Sequence, residues 1–137
     1  YLGDARGQGR LLELDLRSGK LLHSFNFRTG LTAWPDTHYS GLDWDKGRLF
    51  ALLREERAVI EVDPEARRIK RILRYHDVEY HPEHRYQTRV PFAGVMEGLL
   101  DEDDVVWLLS DNNGLGRFAD KSDSRPTLFR CRIQADE

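Results

Sequence analysis

The sequence predicts an all-β chain of short antiparallel sheets joined in series, and three observations carry that reading. A seventeen-residue block recurs without a gap: SGLDWDKGRLFALLREE, from Ser40, aligns with EGLLDEDDVVWLLSDNN, from Glu97, at an offset of 57 residues. Gly98 then falls on Gly41, Leu99 on Leu42, Val106 on Leu49, Trp107 on Phe50 and Leu109 on Leu52. Each copy holds a small-residue opening, an apolar run, an acidic turn and a second apolar run, the pattern of two antiparallel strands with a tight connection. A pair copied at a fixed interval indicates a repeat architecture. Elsewhere apolar and charged residues alternate with a period of two, Asp and Gly turns are frequent, and no stretch sustains a helical period.

The elements follow in order. YLGD at the start reads as the end of a strand, in the place that Leu109, Ser110 and Asp111 hold in the later copy. Residues 11–16, LLELDL, alternate as a half-buried strand does, and the turn Arg17-Ser18-Gly19-Lys20 leads to a hairpin partner over 21–27. Residues 28–39 carry Gly30 and Pro35 and read as a crossing loop. Strands are expected over 41–44 and 48–53 around Asp45-Lys46-Gly47, then over 58–62 and 69–73 around a turn in which Pro64 fixes φ. The segment 74–95 is too long for an ordinary connection and is polar, aromatic and rich in histidine. Strands resume over 97–100 and 105–110, and a long loop over 111–126 precedes a last strand within 127–133.

Composition sets outer limits. The 137 residues are 39% hydrophobic and 33% charged, enough for one modest core, with a mean hydropathy of −0.64. The net charge is −3 and the cations are scattered among acids, so no basic face argues for nucleic acid. Apolar runs such as 105–109 are far shorter than the roughly 20 residues of a membrane-spanning helix. Cys131 is the only cysteine, which excludes an intrachain disulfide and leaves the redox compartment open. The opening YLGDARGQGR has neither an initiator Met nor a charged-then-apolar leader, so the expectation is a processed piece or a segment of a longer protein.

Labelling the strands of each unit A to D gives a tail of C and D over 1–27, a complete unit over 40–73, an insertion over 74–95, and A, B and C over 96–133. Four-stranded sheets repeated in this way are propeller blades, so the fold expected is a partial β-propeller of about two and a half blades. A ring needs at least about four. The remaining blades of a larger propeller, or other copies of the chain, are therefore the expected partners.

The two matched blocks, each followed by a strand reading VIEVD or LFRCRI, resemble the esterase-like phytase family of β-propellers over most of residues 40–133. The SdiA-regulated and gluconolactonase-like propellers share the Glu-Gly-Leu opening and the Ser-Asp ending as neighbours. The resemblance implies metal-assisted hydrolysis of phosphate or carboxyl esters, a small-molecule ester substrate, and an extracytoplasmic location, periplasmic or secreted. It also points to Glu97 and Asp111 as catalytic residues. Where the second copy reads Ser110-Asp111-Asn112-Asn113 the first reads Leu53-Arg54-Glu55-Glu56, so an acid common to both copies is missing at that place.

The residues themselves suggest two metal sets. Glu97, Asp111, Asn112 and Asn113 offer hard oxygen donors of the kind Ca²⁺ takes, although Asp-Asn-Asn-Gly is equally what a left-handed turn requires. His76, His81 and His84 offer nitrogen donors for zinc or a similar metal, with Asp77, Glu79 and Glu83 among them, and the spacing of His81 and His84 lets both reach one ion. Surface histidines in a polar loop are the plain alternative. The acids over 101–104 read as a solvated hairpin tip, and Trp44, Trp107, Phe50 and Phe129 as core. No Gly-x-Ser-x-Gly elbow occurs, which motivates a second reading: a non-catalytic propeller presenting 74–95 to a protein or carbohydrate.

Overall fold

A computed structural model describes residues 2–3, 10–27, 29–30, 38–88 and 93–133. Within them the strands are β1 (Leu2–Gly3), β2 (Arg10–Leu14), β3 (Leu21–Asn26), β4 (Tyr39–Asp45), β5 (Arg48–Leu53), β6 (Ala58–Asp63), β7 (Arg68–Arg74), β8 (Met96–Glu102), β9 (Val105–Ser110) and β10 (Leu128–Arg132). One helical turn, α1 (His76–Glu79), opens the long excursion. The chain is all-β, in three antiparallel sheets ordered β1-β2-β3, β4-β5-β6-β7 and β8-β9-β10. Every pairing joins strands adjacent in sequence. No helix among the described residues is long and apolar enough to cross a membrane.

The repeat seen in the sequence is a repeat in hydrogen-bond register. Gly41 pairs with Leu52, Leu42 with Ala51 and Asp45 with Arg48; 57 residues later Gly98 pairs with Leu109, Leu99 with Leu108 and Glu102 with Val105. Even the irregularity is copied, since the register shifts between Tyr39 and Gly41 in one hairpin and between Met96 and Gly98 in the other. Ser40 and Glu97 therefore occupy the same bulge. The tips match too: Lys46 (φ 48°) and Asp103 (φ 57°) are both left-handed, and Gly47 (φ 80°) completes the primed turn that suits a two-residue hairpin.

β5 reads RLFALL because both its faces are covered. Leu49, Ala51 and Leu53 turn toward Leu11 and Phe25 of the first sheet, while Phe50 and Leu52 turn toward Met96, Val106 and Leu108 of the third. The second sheet is thus the middle layer between two apolar cores. β4 lies beside β8 and β1 beside β4. At the β4–β8 contact, a Cβ on Gly41 would sit 3.1 Å from Cβ of Leu99, so the absent side chain allows the close approach. Ser40 Oγ donates to the Met96 carbonyl at 2.9 Å, and the Asp101 amide donates to Asp43 Oδ2 at 2.6 Å.

Several expectations need correction. β2 ends at Leu14 rather than Leu16, because Asp15 turns the chain by accepting the amides of Arg17 (2.8 Å) and Ser18 (2.9 Å), which leaves Leu16 97% exposed. Tyr39 belongs to β4 and is buried, not in a loop. Trp44 is 51% exposed, so it is not core. Asp101 is no part of a solvated tip: it is buried and accepts Arg48 Nη2 at 2.7 Å. The crossing loop's residues 28 and 31–37, including Trp34, and residues 89–92 of the excursion lie outside the described residues.

Candidate functional surface

The openings of β4 and β8 and the ends of β5 and β9 form one rim, which the excursion 74–95 borders. Its backbone scaffold repeats: the Arg54 amide donates to the His38 carbonyl (3.3 Å) as the Asp111 amide donates to the Val95 carbonyl (2.7 Å). A Cβ on Gly94 would lie 2.3 Å from the Arg54 carbonyl oxygen, so the returning end of the excursion touches the rim's backbone.

The acids expected to be catalytic are placed on this rim but engaged separately. Glu97, brought to the surface by the bulge, is hydrogen-bonded by Arg54 Nη1, whose Nε also donates to Glu55 Oε1 at 2.8 Å. His38 Nδ1 lies 3.1 Å from Glu55 on its other side. Asp111 accepts the Asn113 amide at 3.0 Å and closes its own turn, with Asn113 (φ 51°) and Gly114 (φ 75°) left-handed. Asn112 is buried, and its amide donates to the carbonyls of Leu115 and Ser124 (2.8 Å), pinning the loop over 111–126. A concavity of about 340 Å³ near Gly94 and Leu115 is lined by Asn112 and Asn113 but not by Glu97 or Asp111. Glu97, Asp111 and Asn112 are thus each engaged by a different local partner.

The excursion is built as a small folded unit. Arg57 takes a left-handed backbone (φ 50°) at the repeat position that Gly114 fills in the other copy. Its buried guanidinium donates to Glu79 Oε1 (2.9 Å), Tyr80 Oη (2.7 Å) and the Glu55 and Ala93 carbonyls. Glu79, at the end of α1, also accepts the Val95 amide at 3.4 Å, so one ion pair joins both ends of the excursion to the rim. Burial pushes the Glu79 carboxyl above the usual carboxylate range, against the opposing pull of Arg57. Burial likewise holds the Tyr75 phenol well above its ordinary value.

A second anchor is Tyr86, whose buried hydroxyl donates to the Arg125 carbonyl at 2.6 Å and lies 3.2 Å from both Ser110 Oγ and Thr127 Oγ1. Arg117 stacks over its ring at 4.7 Å and donates to the His84 carbonyl (3.0 Å) and Thr127 Oγ1 (2.6 Å). Between these anchors Arg85 is exposed, with its guanidinium 4.9 Å from the Tyr80 ring and 4.5 Å from that of Phe118. Among the described residues it forms no ion pair.

The three histidines part company. His76 stacks on Tyr80 at 4.6 Å and lies 3.2 Å from Asp77 Oδ1, whereas His81 and His84 come together with Glu83. Sequence reasoning missed the Arg57–Glu79 pair and the Arg85 sandwich. A signal for the first was present: a non-glycine at a left-handed turn where its repeat partner is Gly114 suggests that the side chain is needed there. No family model and no curated protein matches the chain.

Proposed function

We propose that the chain is a run of blades from a β-propeller of the esterase-like phytase kind, and that it acts in recognition rather than in ester hydrolysis. The blade reading rests on the copied register and on one bare face. Trp107 and Leu109 are the counterparts of Phe50 and Leu52, yet Leu109 is 45% exposed and borders an apolar concavity of about 510 Å³. A further sheet of the same design, from a longer parent or another copy, would cover that face as the third sheet covers Phe50 and Leu52.

The recognition reading rests on one observation: Arg85 is exposed between two aromatic rings and, among the described residues, pairs with no carboxylate. An arginine whose planar fork is pre-oriented loses little entropy when it pairs with a carboxylate. Its aromatic walls resemble the anchor residues enriched at interfaces. An acidic segment of a protein partner fits this surface. Glu97 is paired with Arg54 and Asp111 accepts an amide of its own turn, so each carboxylate already has a partner that activating a water or metal would have to displace.

The test is a binding screen of the full chain against acidic peptide and uronic-acid arrays, beside assays on phosphate and carboxyl esters with and without Ca²⁺. Arg85→Glu is expected to abolish acidic-peptide binding, with Glu97→Gln and Asp111→Asn leaving it unchanged. Ester turnover that disappears in Glu97→Gln would overturn the reading in favour of hydrolysis, and selective uronic-acid binding would replace the protein partner with a carbohydrate.

A further inference from the structure

Residues 81–85 form a turn held by several backbone contacts. Pro82 fixes φ at the second position, and the amides of His84 and Arg85 both donate to the His81 carbonyl at 2.9 Å. The turn is tied to the neighbouring loop by Arg117 donating to the His84 carbonyl (3.0 Å) and by the Phe118 amide donating to the Arg85 carbonyl (2.9 Å). The His84 ring stands edge-on against Phe129 of β10 at 5.4 Å, which fixes its direction. His81 faces it with ring centroids 5.2 Å apart. Glu83, between them in sequence, completes a set whose three donor atoms lie within 4.8 Å of one another. Among the described residues this is the only such group of three.

We infer that His81, Glu83 and His84 form a binding site for a divalent transition metal, with Zn²⁺ the best-fitting ion. Two imidazoles and one carboxylate are borderline donors, suited to zinc and poorly suited to calcium, which takes six to eight oxygens. Tetrahedral zinc at about 2.0–2.1 Å from nitrogen sets its donors roughly 3.4 Å apart, so the set closes by a modest rotation of the exposed His81 and Glu83 side chains while His84 stays against Phe129. The Glu83 amide is 3.4 Å from His81 Nδ1, a long contact that coordination can replace. Three protein ligands leave the fourth position for water or a partner's donor atom. Glu83 takes the place that the sequence assigned to His76, whose ring is engaged by Tyr80.

Zinc binding here is independent of the acidic partner proposed for Arg85, because it requires only the free chain. The experiment is calorimetric titration of the full chain with Zn²⁺, with circular dichroism confirming that each variant retains its strands. One ion per chain is expected, with affinity lowered by about tenfold or more in His81→Ala and in His84→Ala, and less in Glu83→Gln, while His76→Ala binds as the wild type does. Absence of saturable one-to-one binding, or equal affinity in a folded His81→Ala/His84→Ala double variant, would overturn the site.

Discussion

The hairpins β4–β5 and β8–β9 share their register, their bulge and their left-handed tip, yet they differ in burial. Phe50 and Leu52 are completely buried, whereas their counterparts Trp107 and Leu109 are half-open and exposed. The local pattern of apolar positions and turn residues sets how strands pair. What a face is worth depends on whether another sheet lies over it. Phe50 and Trp107 have the same local role and unequal energetic weight.

The largest effect expected from this contrast is on the core. Phe50→Ala should cost about 4 kcal/mol in urea unfolding and Trp107→Ala about 1 kcal/mol, although tryptophan is the larger side chain. Equal losses would mean that the third sheet's outer face is covered. Next, Arg57→Ala leaves Glu79 buried without its cation and should cost about 3 kcal/mol, read as a lower thermal midpoint. Its repeat counterpart Gly114 carries no such pair, so the loss would belong to the excursion and not to the hairpin. A smaller loss, about 1–2 kcal/mol, is expected from Gly41→Ala, whose new methyl would press β4 against Leu99.

The pH dependence of Asp101 sharpens the same contrast, because its repeat counterpart is the exposed Trp44. Burial raises the Asp101 carboxyl, against the opposing Arg48 guanidinium and with help from Asp45, Asp43 and Glu61. The folded state therefore holds this proton more tightly than the unfolded chain. Stability falls as pH rises from the ordinary carboxylate value through the raised one, and acidification across that window restores it. Denaturation at several pH values should show wild type losing ground to Asp101→Asn as pH rises through the window. A parallel pair of curves would contradict it. The smallest effect is at the tips, where Lys46 and Asp103 pair in full solvent: Lys46→Ala should leave the unfolding midpoint unchanged at physiological salt.

Strand pairing was legible because it follows from periodicity and turn chemistry within about twenty residues of chain. The bulge at Ser40 and Glu97 was not read from the sequence, although the repeat had already put the two residues at equivalent positions. Side-chain roles were less legible, because they depend on how sheets sit against one another. Trp44 reads as core by pattern but lies near the tip of its hairpin, where it is half exposed. Asp101 reads as solvated by composition but meets Arg48 across the sheet boundary. For the surface, the convergence of His81 and His84 was visible in their spacing. Glu83's part in that group, and the aromatic clamp on Arg85 by a residue 33 positions later, arise only from the folded path of the loops.

The two copied hairpins lie side by side, β4 against β8, in successive sheets. Nuclear Overhauser contacts on the full chain test this arrangement most directly. Strong cross-peaks are expected between the Gly41 α-protons and the Leu99 amide, and between the Ser40 and Met96 residues, alongside the contacts internal to each hairpin. Hairpins that keep their internal contacts while the Gly41–Leu99 and Ser40–Met96 peaks are absent would contradict it.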